Sequence, residues 1–91
     1  MEPKPIIVLR ASAKTNPNKL AGSSVKNMQE GKDVEIVAVG AGAINQVVKS
    51  LIIARSFVSS TGKDMVFKAG FMEVEIEGMK KTAVKFYLIV G

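Results

Sequence analysis

Apolar and polar positions alternate along this chain in blocks whose period changes from one block to the next. Ile6 to Arg10 is a β-rich run behind two prolines and predicts a short strand. Leu20, Ala21, Val25 and Met28 then recur at helical spacing. Asn16 is a good N-cap for that helix. Pro17 suits its first position, where the missing N–H has no partner to lose, and Gly31 supplies the stop. Val34 to Val39 predicts a second strand, followed at once by Gly40-Ala-Gly42. From Ala43 to Ser59 the period is helical again. Ile44, Val47, Leu51, Ala54 and Val58 share one face of it, and Asn45, Lys49 and Ser56 share another. Thr61-Gly62-Lys63 makes the next turn.

Two strands close the chain. Met65, Phe67 and Ala69 hold one parity, whereas after Gly70 the apolar side passes to Met72, Val74 and Ile76, against Glu73, Glu75 and Glu77. A one-residue slip in period at a glycine predicts a β-bulge. Thr82 to Val90 puts Val84, Phe86, Leu88 and Val90 on one face. Charge pairing predicts the hairpin register: with Gly78-Met79-Lys80 as a three-residue loop, Glu77 faces Lys81, Glu73 faces Lys85, Val74 faces Val84 and Met72 faces Phe86. The order strand, helix, strand, helix, strand, strand makes a single α/β (α+β) domain over residues 1–91. A strand–helix–strand crossover closes right-handed, so the first two strands are expected as parallel neighbours with both helices on one face.

Composition changes this picture in two ways. Hydrophobic residues make up 47% of only 91, generous for a chain with so small an interior. Val48 and Ile52 carry part of the surplus, widening the apolar arc of the long helix beyond one buried stripe. They read either as the floor of a groove against the first helix or as a subunit interface; the interface is preferred, which predicts a homodimer or higher homo-oligomer. The chain also has no cysteine and no histidine. Disulfides, thiolate nucleophiles, the usual general base and the usual soft or imidazole metal ligands all go with them. A binding protein without cofactor or metal is expected, not an enzyme.

The net charge of +5, from 13 Lys and Arg against 8 Asp and Glu, favours anionic partners. Met-Glu-Pro-Lys-Pro has no signal-peptide form. No apolar run approaches the ~20 residues that span a bilayer, the longest being broken by Lys49, Ser50 and Arg55. A cytoplasmic protein without a membrane partner is expected. In open sheets with parallel strands, ligands collect at the strands' carboxyl ends. Two loops meet there, Arg10 to Asn18 and Gly40 to Gly42, and both lead into helix N-termini, which favour anions. If the third strand runs parallel to the first two, the hairpin tip with Lys80 and Lys81 rises at the same end, so that Arg10, Lys14, Lys80 and Lys81 rim it. Gly40-Ala-Gly42 itself reads equally as a phosphate contact or as a tight turn that needs glycine dihedrals, because Asn45 stands where a dinucleotide loop has its third glycine. Asn45 touches either a ligand or solvent. Glu73, Glu75 and Glu77 read as cross-strand partners of lysines rather than metal ligands. Aromatic residues are 5% of the chain and most lie at core parity, so a base-stacking platform has little support.

The run Glu35-Ile-Val-Ala-Val-Gly-Ala-Gly-Ala-Ile-Asn-Gln-Val-Val-Lys49, continuing to Ile53-Ala-Arg-Ser-Phe-Val58, resembles the stage V sporulation protein S family, as do Leu9 to Lys14, Asn16-Pro17, Glu75 to Gly78 and Lys81 to Val84. That resemblance implies a role in regulating spore development in bacteria. The family in turn is similar to the Alba group of nucleic-acid-binding proteins, which implies a βαβαββ two-layer sandwich with a mixed four-stranded sheet in the order 1-2-4-3, a dimer, and DNA or RNA bound by basic loops and a protruding hairpin. The positions that match are the loop with Lys14, the turn Gly40 to Gly42, Asn45, and the hairpin with Lys80 and Lys81. Ala41 departs from the basic residue that Alba proteins often carry between the two glycines. The alternative is a protein-interaction module that recruits its partner through Val48 and Ile52, without direct nucleic-acid binding.

Overall fold

The structure, a computed structural model, describes residues 3–91; Met1 and Glu2, which open the N-terminal stretch read above for a signal peptide, lie outside it. Six elements follow one another: β1 (Ile6–Ala11), α1 (Pro17–Gln29), β2 (Asp33–Ala38), α2 (Ala41–Ser59), β3 (Met65–Ile76) and β4 (Met79–Val90). The chain is a two-layer α+β sandwich with one four-stranded sheet in the order β1-β2-β4-β3. β1 and β2 are parallel, and β4 is antiparallel to both β2 and β3. No helix among the described residues is long and apolar enough to cross a membrane.

Local chemistry accounts for the first helix. The Asn16 side chain accepts from Asn18 N at 2.9 Å and from Lys19 N at 3.2 Å, capping two of the amides that the first turn leaves free. At the other end Gly31, at φ +83°, donates to Met28 O while Lys32 N reaches Asn27 O, both at 3.1 Å, a Schellman stop that a Cβ would oppose.

Both helices cover one face of the sheet. Ile36, Val34 and Ala38 of β2 meet Phe86 and Leu88 of β4 there, and above them lie Leu20, Ala21 and Val25 of α1 and Ala43, Val47, Leu51, Ala54 and Val58 of α2. Ser24 and Ser50 are buried between these apolar side chains without cost in unpaired polar groups, because their hydroxyls donate to Leu20 O at 2.8 Å and Val47 O at 2.7 Å within their own helices.

The terminal hairpin differs from the expectation in two respects. Its turn is the pair Glu77-Gly78, not the three-residue loop Gly78-Met79-Lys80. Glu77 has φ +52° and Gly78 φ +78°, so both central residues are left-handed, the form that matches strand twist in two-residue hairpins. Glu73 therefore faces Thr82, Val74 faces Lys81, Met72 faces Ala83, and Lys85 lies opposite Gly70. Lys85 turns instead to Glu35 of β2 at 3.3 Å. Pairing charges straight across a ladder fails because lysine reaches diagonally: Lys80 meets Glu73 at 3.7 Å although Glu75 is its direct partner.

Nor is there a bulge at Gly70: the ladder runs from Met65↔Val90 to Ile76↔Met79 without a skipped residue. The apolar parity changes because the surroundings do. Up to Ala69 the strand's apolar side lies toward the helices. Past Gly70 the strand leaves their cover, so Glu73 and Glu75 take the helix side in water, and Met72, Val74 and Ile76 take the opposite face.

Candidate nucleic-acid interface

β3 runs parallel to β1 and β2, since each is antiparallel to β4 or parallel to its partner. The hairpin tip therefore rises at the carboxyl ends of β1 and β2. β2 stops pairing at Ala38↔Val84, and the hairpin continues past it as a two-stranded arm, residues 72–76 and 79–83, projecting roughly 17 Å. The β1–α1 loop, the glycine turn and the arm thus share one end of the molecule, with Arg10, Lys14, Gly40, Gly42 and Asn45 at its base and Lys80 and Lys81 near the tip of the arm.

Each loop is held by its own bonds. Ser12 N donates to Thr15 Oγ1 at 2.8 Å and Lys14 N to Ser12 Oγ at 3.2 Å, folding the loop on itself and leaving Lys14 exposed at its crest. Gln46 Nε2 donates to Thr15 O at 2.8 Å, tying the loop to α2. Ala13 completes the join: a Cβ added at Gly42 would lie 2.9 Å from Ala13 Cβ. The close approach that Gly42 permits is to this loop. Gly40 has the tight-turn role, with φ +89° and ψ 157° at the N-cap of α2, backbone that only glycine adopts readily.

The two helix N-termini are not equivalent. Asn16 occupies two amides of α1, whereas Gly40 has no side chain to cap α2, and neither helix has an acidic residue in its first turn. The start of α2, with Asn45 exposed one turn in, keeps the partial positive charge of its free amides.

The cations at this end divide by face. Lys80 pairs with Glu75 on the helix side of the arm and contacts Glu73, so it stands among carboxylates. Lys81 pairs with Val74 on the other side of the arm, the side continuous with the open face of the sheet. Arg10 points to that open face too, opposite Val37. Arg10, Val37, Val39, Val74, Glu75 and Ile76 line a cleft of about 360 Å³ between the β1–α1 loop and the arm. Sequence reasoning did not assemble this cleft, because its lining comes from β1, the end of β2 and the arm, segments far apart in sequence. It also passed over Tyr87, which sits out of step with Phe86 and Leu88 and so faces the open side, with Lys85 Nζ 5.6 Å from its ring centre.

Val48 and Ile52 lie elsewhere, on the flank of α2 beside the edge strand β3. With Leu51, Arg55, Met65, Val66 and Phe67 they line a groove of about 380 Å³. Ile52 is 67% exposed and Phe71, farther along β3, is 84% exposed. Arg55 closes the groove's end through a two-pronged pair with Asp64, Nε to Oδ1 at 2.8 Å and Nη2 to Oδ2 at 3.2 Å. That pair holds the Asp64 carboxyl below its ordinary range, first through the side-chain hydrogen bond from Arg55 and then through the backbone N–H of Met65. The phenylalanines were legible as strand residues, but their exposure follows from β3 being an edge, which no local pattern shows.

Residues 7–91 match the family model described as Stage V sporulation protein S (SpoVS), nearly the whole chain. The chain belongs to the stage V sporulation protein S family and with it has a sporulation-related role.

Proposed function

We propose that this protein is a dimeric, cytoplasmic nucleic-acid-binding regulator of bacterial development that grips phosphates through the end formed by the β1–α1 loop, the glycine turn and the arm. It works by binding, not by catalysing a reaction. The observation that carries this reading is the convergence of Arg10, Lys14 and Lys81 with the uncapped start of α2 at one end of a chain with a net charge of +5. A projecting arm with cations is suited to lie along a backbone, and in this reading Asn45, exposed in the second turn of α2, adds a hydrogen bond. Contacts of this kind neutralise phosphates and release counterions, so affinity falls steeply with salt and depends little on sequence.

Titration of DNA and RNA at several salt concentrations tests it. Replacing Lys80 and Lys81 together by Ala is expected to weaken binding to all sequences and to lower the salt slope by about one to two units per subunit. Unchanged affinity in that variant removes the arm from the proposal.

The groove at Val48 and Ile52 favours a second contact, with another copy of this chain. Its exposed aliphatic and phenylalanine side chains lie on a sheet edge and on a helix flank that begins one helical turn beyond Asn45, a surface distinct from the loops and the arm of the basic end. A protein partner at the same groove is the competing occupant, and the oligomeric state of the isolated protein separates the two.

A further inference from the structure

The sheet has one face that no helix covers, and its composition is unusual for a surface exposed to water. Ile6, Val8, Val66 and Ile89 stand on it, each 40% exposed or more, and Tyr87 lies on its central strand β4. Charged side chains are interleaved with them: Arg10, Lys68 and Lys81, none of the three in an ion pair among the described residues, share this face with Asp33 and with Glu35, which pairs with Lys85 at 3.3 Å. The cleft of about 360 Å³ takes Arg10, Val37, Val74 and Ile76 from the same face, and its lining is mainly apolar apart from Arg10, Ser12 and Glu75. Tyr87 and Arg10 are roughly 12 Å apart on the spacing of strands and residues in a sheet.

We infer that this open face is a platform for single-stranded nucleic acid, on which one base stacks on Tyr87 while a neighbouring base is seated in the cleft at Arg10. The inference rests on the nucleic-acid reading above and specifies which form of nucleic acid is bound and by which surface. Aliphatic side chains and an aromatic ring suit the flat apolar faces of bases, and they offer nothing to a duplex, whose bases are already stacked inside. The interleaved cations suit a backbone that crosses the sheet between those bases. An arginine lining such a cleft can stack its guanidinium on a base or hydrogen-bond its edge, and Glu75 offers an acceptor to a base amino group. A second copy of this chain is disfavoured as occupant, because each face brings three unpaired cations, Arg10, Lys68 and Lys81, against a single unpaired carboxylate, Asp33, among the described residues, which leaves like charges desolvated in the contact.

The molecule contains its own reporter. Tyr87 is the only tyrosine and there is no tryptophan, so the intrinsic tyrosine emission comes from this position alone. The experiment follows that emission as oligo(dT), oligo(U) and a DNA duplex of equal length are titrated in at low salt. Single strands are expected to quench it and to bind more tightly than the duplex. Tyr87→Ala should weaken single-strand binding by roughly 5- to 150-fold, the range for loss of one base–aromatic stack, and Tyr87→Phe should retain most of the affinity. Circular dichroism of both variants shows whether they fold, and Tyr87→Phe keeps the ring if the truncation does not. Binding without quenching, equal affinity for duplex and single strand, or wild-type affinity in a folded Tyr87→Ala variant overturns the platform while leaving phosphate binding at the basic end intact. No binding of any nucleic acid overturns both.

Discussion

Gly42 lies so close to Ala13 that a single methyl group at position 42 would stand 2.9 Å from the Ala13 Cβ and 3.6 Å from its Cα. The neighbour is backbone and a short side chain, not the end of a flexible one, so the loop must move to make room. Gly42→Ala gains about 1 kcal/mol of helix propensity and loses about 1–3 kcal/mol to overpacking, for a net loss of about 1 kcal/mol. Adding Ala13→Gly is expected to restore stability and let the propensity gain through. Urea denaturation of the single and double variants checks this, and additive effects of the two substitutions would contradict the contact.

Lys80 and Lys81 are adjacent in sequence but face opposite sides of the arm, Lys80 toward Glu73 and Lys81 toward Val74. Local carboxylates repel a phosphate approaching Lys80. Lys81→Ala is therefore expected to account for most of the loss seen in the double variant, and Lys80→Ala for little. Binding isotherms of the two single variants at one salt concentration decide the matter; equal losses would place the nucleic acid at the tip rather than on one side of the arm.

Asp64 couples stability to acid pH. Arg55 and the Met65 N–H favour its charged form, so its carboxyl titrates below the ordinary value of about 3.9 when folded. Such a group stabilises the fold fully above that ordinary value, and the contribution is lost as pH falls through the folded one. Both partners are more than half exposed, so the effect is modest and screened by salt. Asp64→Asn should be less stable than wild type at neutral pH, with the gap closing below about pH 4. Melting curves across that range test it, and a gap that stays constant with pH would rule out the charge as its source.

Ile52→Lys introduces a charge at a side chain that is 67% exposed in the single chain, so folding should be unaffected. If the groove pairs two copies, the buried lysine costs several kcal/mol in the assembly and the protein becomes monomeric by light scattering. A variant of unchanged mass would move the interface away from α2.

Much of the fold was legible because it is dictated locally. Asn16, Pro17 and Gly31 bound α1 through caps that involve only their neighbours in sequence, and the helical period of Val47, Leu51, Ala54 and Val58 marks the buried side of α2 without any knowledge of the sheet. The hairpin register was misread where a non-glycine residue, Glu77, takes φ +52°, a conformation that its side chain does not announce. Gly42 read equally as a phosphate contact or part of a tight turn, and its close neighbour Ala13 was not foreseen because it is 29 positions away in sequence and reaches it only through the crossover. Tyr87 stayed out of view for a related reason. Parity shows that it opposes Phe86, but only the placement of both helices on one side leaves that face open.

The most direct test of the account is a titration of the purified protein into labelled single-stranded RNA and duplex DNA across a series of salt concentrations. The basic end predicts dissociation constants on the order of 10⁻⁶ M or tighter at low salt, weakening steeply as salt rises, with the slope reduced in the Lys80→Ala, Lys81→Ala double variant. Absence of binding even at low salt, or affinity indifferent to salt, would contradict it and leave the groove at Val48 and Ile52 as the working surface of the protein.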